Sequence, residues 1–200
     1  MTVHSFFAPM QLRSVDLLVI DYPWPWKTYA DTGRKKTPQY DTMDLRAIEE
    51  TRPEDLLTPQ GIGFFWVTWP LIAKQSRIIE DVFGLEVRTG GAWSKRSRTG
   101  KLRWGPGHIV RTVCEPYLIA ARKGHGFRGR DMKNLLETFG ERELPGLARE
   151  NSRKPDEFYD ELVRLTPGWR RADIFARQSR EGWSTWGREK TKFDKSTDGI

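Results

Sequence analysis

The chain has 200 residues, of which 37% are hydrophobic and 30% are charged; this composition is typical of one globular core and excludes a collagenous or wholly disordered chain. Lys and Arg number 34 against 27 Asp and Glu, and the net charge of +7 suits a polyanionic partner, although charge alone equally suits a role in solubility. A single cysteine, Cys114, excludes an internal disulfide, and the three histidines show no zinc-ligand spacing. The sequence therefore predicts a metal-free, cytoplasmic protein.

Targeting and membrane signals are absent from the sequence. The first ten residues contain no cationic segment followed by an apolar run, and no window reaches the roughly 18 apolar residues of a membrane span. We therefore expect no membrane association. A single domain is expected over residues 1–189, and the polar stretch 190–200 predicts a disordered tail. The oligomeric state stays open.

Apolar runs and helical spacings alternate along the chain. The unbroken run Leu17–Ile20 predicts a strand that is buried on both faces. Four later runs also predict strands, and two segments have the apolar spacing that is typical of helices. In chain order these are a strand at 61–66, a helix at 71–82, strands at 87–93 and 113–121, a helix that begins at Pro155, and a strand at 172–176.

This alternation predicts an α/β fold with a mostly parallel central sheet flanked by helices. Ligands of such sheets bind beyond the carboxyl ends of the strands. We therefore expect the chemistry in the loops that follow Ile20, Trp66 and Ala176.

The segment Asp21-Tyr22-Pro23-Trp24-Pro25-Trp26 is the strongest functional signal, because it places a carboxylate and two indoles directly after a buried strand. Clusters of Pro and Trp also form hydrophobic plugs or proline-rich ligands for other domains. The position of this cluster argues against a peptide ligand, which belongs in an exposed tail.

The run from Asp21 to Trp24 resembles the Asp-Pro-Pro-Trp motif of methyltransferases that act on amino groups. Further segments between Val15 and Glu189 are similar to one branch of these enzymes, the family named after the seventy-kilodalton subunit of messenger-RNA N6-adenosine methyltransferase (the MT-A family), and to its short bacterial and phage members. The matching segments are Tyr40-Asp41-Thr42-Met43, Phe64-Phe65-Trp66-Val67-Thr68, Glu115, Ser152 to Tyr159, Asp173 to Arg177, and Trp186-Gly187.

The resemblance implies a Rossmann-like fold that uses S-adenosyl-L-methionine to methylate the N6 amine of adenine in a nucleic acid. The catalytic residues would be Asp21, Tyr22, Pro23 and Trp24. The Asp21 carboxylate and the residue 22 carbonyl would accept the two amine hydrogens and orient the nitrogen for in-line transfer. Trp24 would stack on the flipped adenine, and Tyr40 would close the pocket.

The cofactor contacts are also implied by the resemblance, because the sequence has no Gly-x-Gly-x-x-Gly fingerprint. In this family the catalytic motif precedes the cofactor-binding strand, which here would be 171–176. Lys154 would contact the cofactor carboxylate and Arg177 its ribose. Taken alone, Lys154 is better interpreted as a solvated lysine at a helix start, and only the surrounding motif favours the cofactor contact. The expected cofactor residues are Asp21, Lys154, Arg177, Arg188 and Glu189.

Three positions depart from the family pattern. Tyr22 replaces a proline, but it precedes Pro23 and so keeps a bias toward extended backbone. Asn151 replaces a His and Arg188 replaces an Asn, which affects an expected ribose contact. The departures leave room for a catalytically inactive nucleic-acid-binding subunit. A methyltransferase for another amine, such as cytosine N4, and a purely structural interaction protein also stay open.

A basic segment indicates a nucleic-acid surface, since no Asp or Glu occurs from Ser94 to Thr112. Basic residues around an aromatic ring suit a loop that contacts phosphates and stacks a base, although they also suit an ordinary solvated loop. The resemblance to the short bacterial and phage members implies DNA as the polymer more than RNA. The expected substrate-binding residues are Tyr40, Lys95, Arg96, Arg98, Lys101, Arg103, Trp104 and Glu115, with Arg111 in the same basic segment.

Overall fold

The computed structural model describes residues 6–25, 41–96, 101–104, 109–139 and 153–194. Its helices and strands alternate as expected for an α/β chain. They are β1 (Val15–Ile20), α1 (Leu45–Glu49), β2 (Leu57–Trp66), α2 (Ile72–Arg77), β3 (Glu86–Arg96), β4 (Cys114–Ala121), β5 (Leu135–Phe139), α3 (Asp156–Leu165), β6 (Arg171–Ile174) and β7 (Trp183–Trp186). Helix α2 continues into a π-helical turn at Ile78–Val82, which completes the helix predicted for 71–82.

Within the described residues, seven strands form one sheet in the order β5-β3-β4-β2-β1-β6-β7. Strand β4 runs antiparallel to both of its neighbours, and every other pair of neighbours is parallel. The prediction of a mostly parallel sheet in an α/β fold is therefore confirmed. Strand β1 lies between β2 and β6, so its carboxyl end lies within the sheet and not at either side edge.

The core lies on both faces of β1. Leu18 and Ile20 belong to the apolar cluster on one face, whereas Leu17 and Val19 belong to the cluster on the other. All four side chains are fully buried, as the unbroken apolar run predicts. Burial on both faces fixes the position of β1, and with it the position of the residues that follow Ile20.

Helix α3 covers the second face. Pro155 caps its amino end, Asp156 and Glu157 occupy its first turn, and Phe158 and Leu162 are buried against the sheet. The two carboxylates agree with the preference of the helix dipole for negative charge at its amino end. Proline suits a helix start because the N–H that it lacks would have no partner within the helix. No helix in the described ranges has the length and apolarity that a membrane crossing requires.

The structure contains elements that the sequence patterns did not predict: α1, β5 and β7. Strands β5 and β7 are the two edges of the sheet, where one partner is missing and a continuous apolar run is not required. Strand β6 ends at Ile174, two residues before the predicted end, because Phe175 has a φ of 58° and leaves the extended conformation.

The pairing of β3 with β4 predicts different costs for two glycine substitutions. A Cβ at Gly90 would lie 2.5 Å from the Tyr117 carbonyl oxygen, whereas a Cβ at Gly126 would meet nothing closer than 3.5 Å. We expect Gly90→Ala to lower the free energy of unfolding by about 1–3 kcal/mol and Gly126→Ala to change it by less than about 1 kcal/mol. Urea denaturation measures both, and equal effects would contradict the close approach of β3 to β4.

Candidate functional site

The predicted catalytic segment lies where β1 and β6 end and β4 begins. Asp21 directly follows β1, and its backbone N–H donates to the carbonyl of Ile174 at the end of β6 (3.1 Å). Lys154 immediately precedes Pro155 and helix α3, and Glu115 lies near the start of β4. Residues from distant parts of the sequence therefore meet at one edge of the sheet.

Lys154 joins two carboxylates at this edge. Its ammonium lies 3.1 Å from Asp21 Oδ2 and 3.0 Å from Glu115 Oε2, and it is 4.9 Å from the ring centroid of Trp66. The Lys154 side chain is only 10% exposed. The interpretation of a solvated lysine at a helix start is therefore wrong, and Lys154 is the cation that holds Asp21 and Glu115 together.

The ionisation of this cluster follows from burial and charge. Burial alone would lower the pKa of Lys154, but the carboxylates of Asp21 and Glu115 outweigh it and raise that pKa, so the ammonium stays protonated. Burial raises the pKa of Asp21, and the neighbouring Lys154 ammonium opposes this shift. The cluster thus combines a permanent cation with a carboxylate that takes up a proton more readily than an exposed Asp.

Tyr22 is anchored by its own hydroxyl. The side chain is 3% exposed, and its hydroxyl lies 2.6 Å from Thr51 Oγ1. Because the Thr51 hydroxyl donates to the Ile48 carbonyl (2.7 Å), the Tyr22 hydroxyl is the donor of the first bond. Burial raises the pKa of Tyr22, which keeps this donor protonated. The bond ties the segment after β1 to the residues that follow α1, at the position where the motif that the sequence resembles carries proline.

The rest of the segment forms a tight turn. The Trp24 backbone N–H donates to the Tyr22 carbonyl (2.8 Å), and Met43 N–H donates to the Pro23 carbonyl (2.8 Å). Trp24 is 5% exposed and its indole N–H donates to the Trp66 carbonyl (2.8 Å). The ring of Trp24 is therefore a core group in this conformation, and stacking of a base on it, which stays a prediction, requires the turn to open.

A small cavity of about 20 Å³ lies beside Asp21, with room for about one water molecule. Its wall combines acidic, basic and aromatic side chains from β1, α3, β6 and the segment after β6. The lining residues are Asp21, Arg153, Lys154, Tyr159, Asp173, Phe175, Ala176, Arg177, Gln178, Arg180 and Phe193.

Arg180 and Asp173 are the buried ion pair of this cavity. One guanidinium nitrogen of Arg180 lies 3.3 Å from Asp173 Oδ2 and another lies 2.9 Å from Asp156 Oδ1, while Arg180 Cζ is 3.6 Å from the ring centroid of Tyr159. Asp173 Oδ1 and Arg180 Nε are buried without a hydrogen-bond partner. Burial raises the pKa of Asp173 to about 7, and Arg180 opposes the shift. Two polar atoms at the cavity thus remain available to a polar ligand.

The predicted cofactor residues divide between the cavity and the surface. Arg177 lines the cavity, is 14% exposed and pairs with Glu189 (2.8 Å), which also pairs with Lys192 (2.6 Å). Arg188 is 93% exposed and lies 3.8 Å from Asp41 on the surface. The structure therefore brings Lys154, Arg177 and Glu189 to this region and leaves Arg188 outside the cavity.

Phe193 belongs to the stretch predicted as a polar tail, yet it lines the cavity. Its backbone N–H donates to the Arg177 carbonyl (3.0 Å), and its ring lies between the guanidinium groups of Arg153 and Arg177, at 5.9 and 5.3 Å. Residues 190–194 therefore pack on the site, because an aromatic side chain within this polar stretch reaches the cavity.

Several predicted substrate residues lie outside the described residues: Tyr40, Arg98 and the side chains of Lys95 and Arg96. In the described part of the basic segment, Lys101 is exposed, Arg103 is half-buried and Trp104 is 62% exposed. The guanidinium carbon of Arg111 lies 3.6 Å from the ring centroid of Trp104. An exposed indole stacked with a cation agrees with a surface that contacts other molecules.

The sequence interpretation missed Asp173, Arg180 and Phe193 as site residues. One signal could have identified Asp173: it is an aspartate inside the buried run at 172–176, and an acidic residue in a buried strand needs a partner. Arg180 and Phe193 lie in segments without a motif, and only the folded chain brings them to Asp21.

Comparisons with known proteins agree with the resemblance. The sequence model of the MT-A70 family matches residues 15–189. The chain is similar to the N6-methyladenosine RNA methyltransferase MTA1 of Cryphonectria parasitica, with 29% identity over 90% of the chain and 53% of that protein. The protein of the same name from Pyricularia oryzae is 28% identical over 92% of the chain and 49% of its own length. The type II methyltransferase M.MunI of Mycoplasma sp is 25% identical over 76% of the chain and 60% of its own length. The chain spans about half the length of the two fungal relatives.

The Lys154 cluster predicts a large stability cost for losing the cation. Lys154→Met leaves the carboxylates of Asp21 and Glu115 facing each other, and we expect the free energy of unfolding to fall by about 3 kcal/mol. Arg46→Ala is the control, because Arg46 and Glu50 form a pair on the surface with side chains 88% and 68% exposed, and its loss should cost less than about 1 kcal/mol. Urea denaturation tests this, and equal costs would contradict a structural role for Lys154.

Proposed function

The chain belongs to the MT-A70 family, and from this premise we propose that it is an S-adenosylmethionine-dependent methyltransferase for the N6 amine of adenine in a nucleic acid. The observation that carries the proposal is the position of Asp21, which follows the buried inner strand β1, pairs with Lys154 and borders a cavity that is lined by charged and aromatic groups. The names of the fungal relatives, which describe N6-methyladenosine RNA methyltransferases, agree with this activity.

The residues around the cavity fit S-adenosylmethionine in their chemistry. The cofactor carries two cations, a carboxylate, a ribose diol and an adenine ring. Asp173 has a buried oxygen that lacks a hydrogen-bond partner and suits a cation or a hydroxyl, while Arg180 has a buried N–H that suits an acceptor. Arg177 and Phe193 supply a guanidinium and a ring on the same wall. Since the cavity measures about 20 Å³, side chains of its wall have to move when the cofactor binds.

The reaction needs an oriented amine more than a strong base. When bound, S-adenosylmethionine supplies an electrophilic methyl group on a positively charged sulfur. The Asp21 carboxylate accepts one hydrogen of the adenine amine, and the Tyr22 carbonyl, which already accepts from Trp24 N–H, has a second lone pair for the other hydrogen. The Lys154 ammonium holds the Asp21 carboxylate in place through their ion pair. The raised pKa of Asp21 suits this carboxylate to take up the proton that the amine loses after transfer.

We propose DNA as the preferred polymer, because the chain resembles the short bacterial and phage members of the family. RNA, which is the polymer named for the two fungal relatives, is the second candidate that the experiment measures in parallel.

The proposal predicts loss of methyl transfer on substitution of Asp21. Purified protein is incubated with labelled S-adenosylmethionine and unmethylated DNA or RNA, and the digested nucleosides are identified by mass spectrometry. We expect N6-methyladenine from the native chain and at least a 100-fold lower rate from Asp21→Asn, on the order of the loss of one positioning group in other active sites.

Asp16→Asn is the matched control, because Asp16 lies at the opposite end of the same strand and pairs with Arg170 (2.9 Å). It should leave the rate unchanged. Detection of the label in N4-methylcytosine would show that the substrate base is cytosine and not adenine. Absence of label in both polymers, together with absence of cofactor binding in calorimetry, would overturn the enzyme proposal in favour of an inactive nucleic-acid-binding subunit.

The raised pKa of Asp173 predicts that cofactor binding depends on pH. A cation bound beside Asp173 favours its ionised form, so a carboxyl with a pKa of about 7 releases a proton on binding. We expect the affinity for S-adenosylmethionine to rise between about pH 6 and pH 8, and calorimetry in two buffers of different ionisation enthalpy should detect the released proton.

Asp173→Asn should remove both the pH dependence and the proton release, whereas Asp16→Asn should keep them. Binding of S-adenosylmethionine to the native chain with equal affinity at both pH values and without proton release would contradict a cationic group beside Asp173.

A further inference from the structure

Trp69 is a large exposed side chain that the proposed function does not use. It lies in the turn after β2 and is 45% exposed, and its indole N–H donates to the carbonyl of Cys114 at the start of β4 (3.1 Å). The hydrogen bond fixes the orientation of the ring, while much of its surface stays accessible. An anchored, accessible indole is well suited to stacking, because little conformational freedom is lost when a flat partner binds.

A continuous series of contacts leads from Trp69 to Asp21. Cys114, the hydrogen-bond acceptor of Trp69, precedes Glu115, whose carboxylate lies 3.0 Å from the Lys154 ammonium. Lys154 in turn lies 3.1 Å from Asp21. The exposed indole therefore lies at the same edge of the sheet as the proposed target site, and two residues, Glu115 and Lys154, connect its hydrogen-bond acceptor to Asp21.

The chain segment that leads into Cys114 is basic and carries a second exposed indole. Trp104 is 62% exposed and stacks with the guanidinium of Arg111, which precedes Cys114 by three residues. Lys101 and Arg103 belong to the same segment, and the sequence from 94 to 112 contains no acidic residue. Phosphates complement such a charge pattern, and bases stack on indoles; together these features favour a nucleic-acid strand over an apolar protein partner.

We propose that Trp69 and Trp104 form a stacking surface for unpaired bases that flank the target adenine, so that the substrate strand is bound in single-stranded form next to the site. The inference rests on the proposed function, since it names the form of the polymer that the same site takes. The face of a base can stack on an indole ring only when it is not already stacked on its neighbours within a duplex.

The test measures binding of a fluorescein-labelled single-stranded oligonucleotide of mixed sequence by fluorescence anisotropy. Loss of one base–aromatic stack corresponds to about a 5- to 150-fold weaker affinity, which we expect for Trp69→Ala. Trp69→Phe keeps an aromatic face and should give a smaller loss. The same oligonucleotide as a duplex should bind more weakly to the native chain and should respond less to Trp69→Ala.

Trp169→Ala is the matched control, because Trp169 is a partly exposed indole beside Asp16 and Thr58, at the opposite edge of the sheet. It should leave oligonucleotide affinity unchanged, and neither variant should alter the affinity for S-adenosylmethionine in calorimetry. Thermal unfolding followed by circular dichroism shows independently of the cofactor that the Trp69 variant is folded.

The outcomes separate the inference from the proposed function. Unchanged affinity of Trp69→Ala for the single strand, or equal losses in Trp69→Ala and Trp169→Ala, overturns the inference even when the native chain methylates adenine. Weakened binding in Trp69→Ala supports the inference even when the native chain transfers no methyl group, a result that would overturn only the proposed function.

Discussion

The ammonium of Lys154 lies between the carboxylates of Asp21 and Glu115, and it joins three parts of the fold that are far apart in the sequence. Asp21 follows β1, Glu115 lies near the start of β4, and Lys154 precedes helix α3. Without this cation, two carboxylates would repel each other at a partly buried edge, where charge is weakly screened by water. The position of helix α3 on the sheet and the position of the Asp21 carboxylate therefore depend on the same interaction.

The reversed direction of β4 makes this cluster possible. The carboxyl ends of β1, β2 and β6 share one edge of the sheet because these strands are parallel. Since β4 runs antiparallel to β2, its amino end reaches that same edge and brings Cys114 and Glu115 with it. The antiparallel strand thus adds two groups to this edge, the carboxylate of Glu115 and the Cys114 carbonyl that accepts from Trp69. In a fully parallel sheet, only residues that follow strands would lie there.

The sequence patterns predicted the sheet and the place of Asp21 because both follow from local signals. An unbroken apolar run identifies β1, and the Pro-rich segment after it identifies the turn. The partners of Lys154 could not be predicted in this way, since they are 39 and 133 residues away in the chain and no periodicity links them. The same holds for the hydroxyl bond between Tyr22 and Thr51, by which this chain anchors a position where related motifs carry proline. The roles assigned to individual residues remain predictions, because they depend on a bound cofactor and substrate.

The buried pair of Asp173 and Arg180 favours binding of a polar ligand in the cavity, because each residue has one buried polar atom without a hydrogen-bond partner. A buried polar atom without a hydrogen-bond partner costs about 1–3 kcal/mol, and the closed cavity contains two, Asp173 Oδ1 and Arg180 Nε. A ligand with a donor for the first atom and an acceptor for the second removes both costs as it displaces side chains of the cavity wall. An apolar ligand of the same size would leave both atoms unpaired and would keep both costs. The unpaired atoms therefore favour polar over apolar ligands of equal size. The cofactor proposed to bind beside Asp21 carries both kinds of group, because its ammonium and ribose hydroxyls donate hydrogen bonds and its carboxylate accepts them.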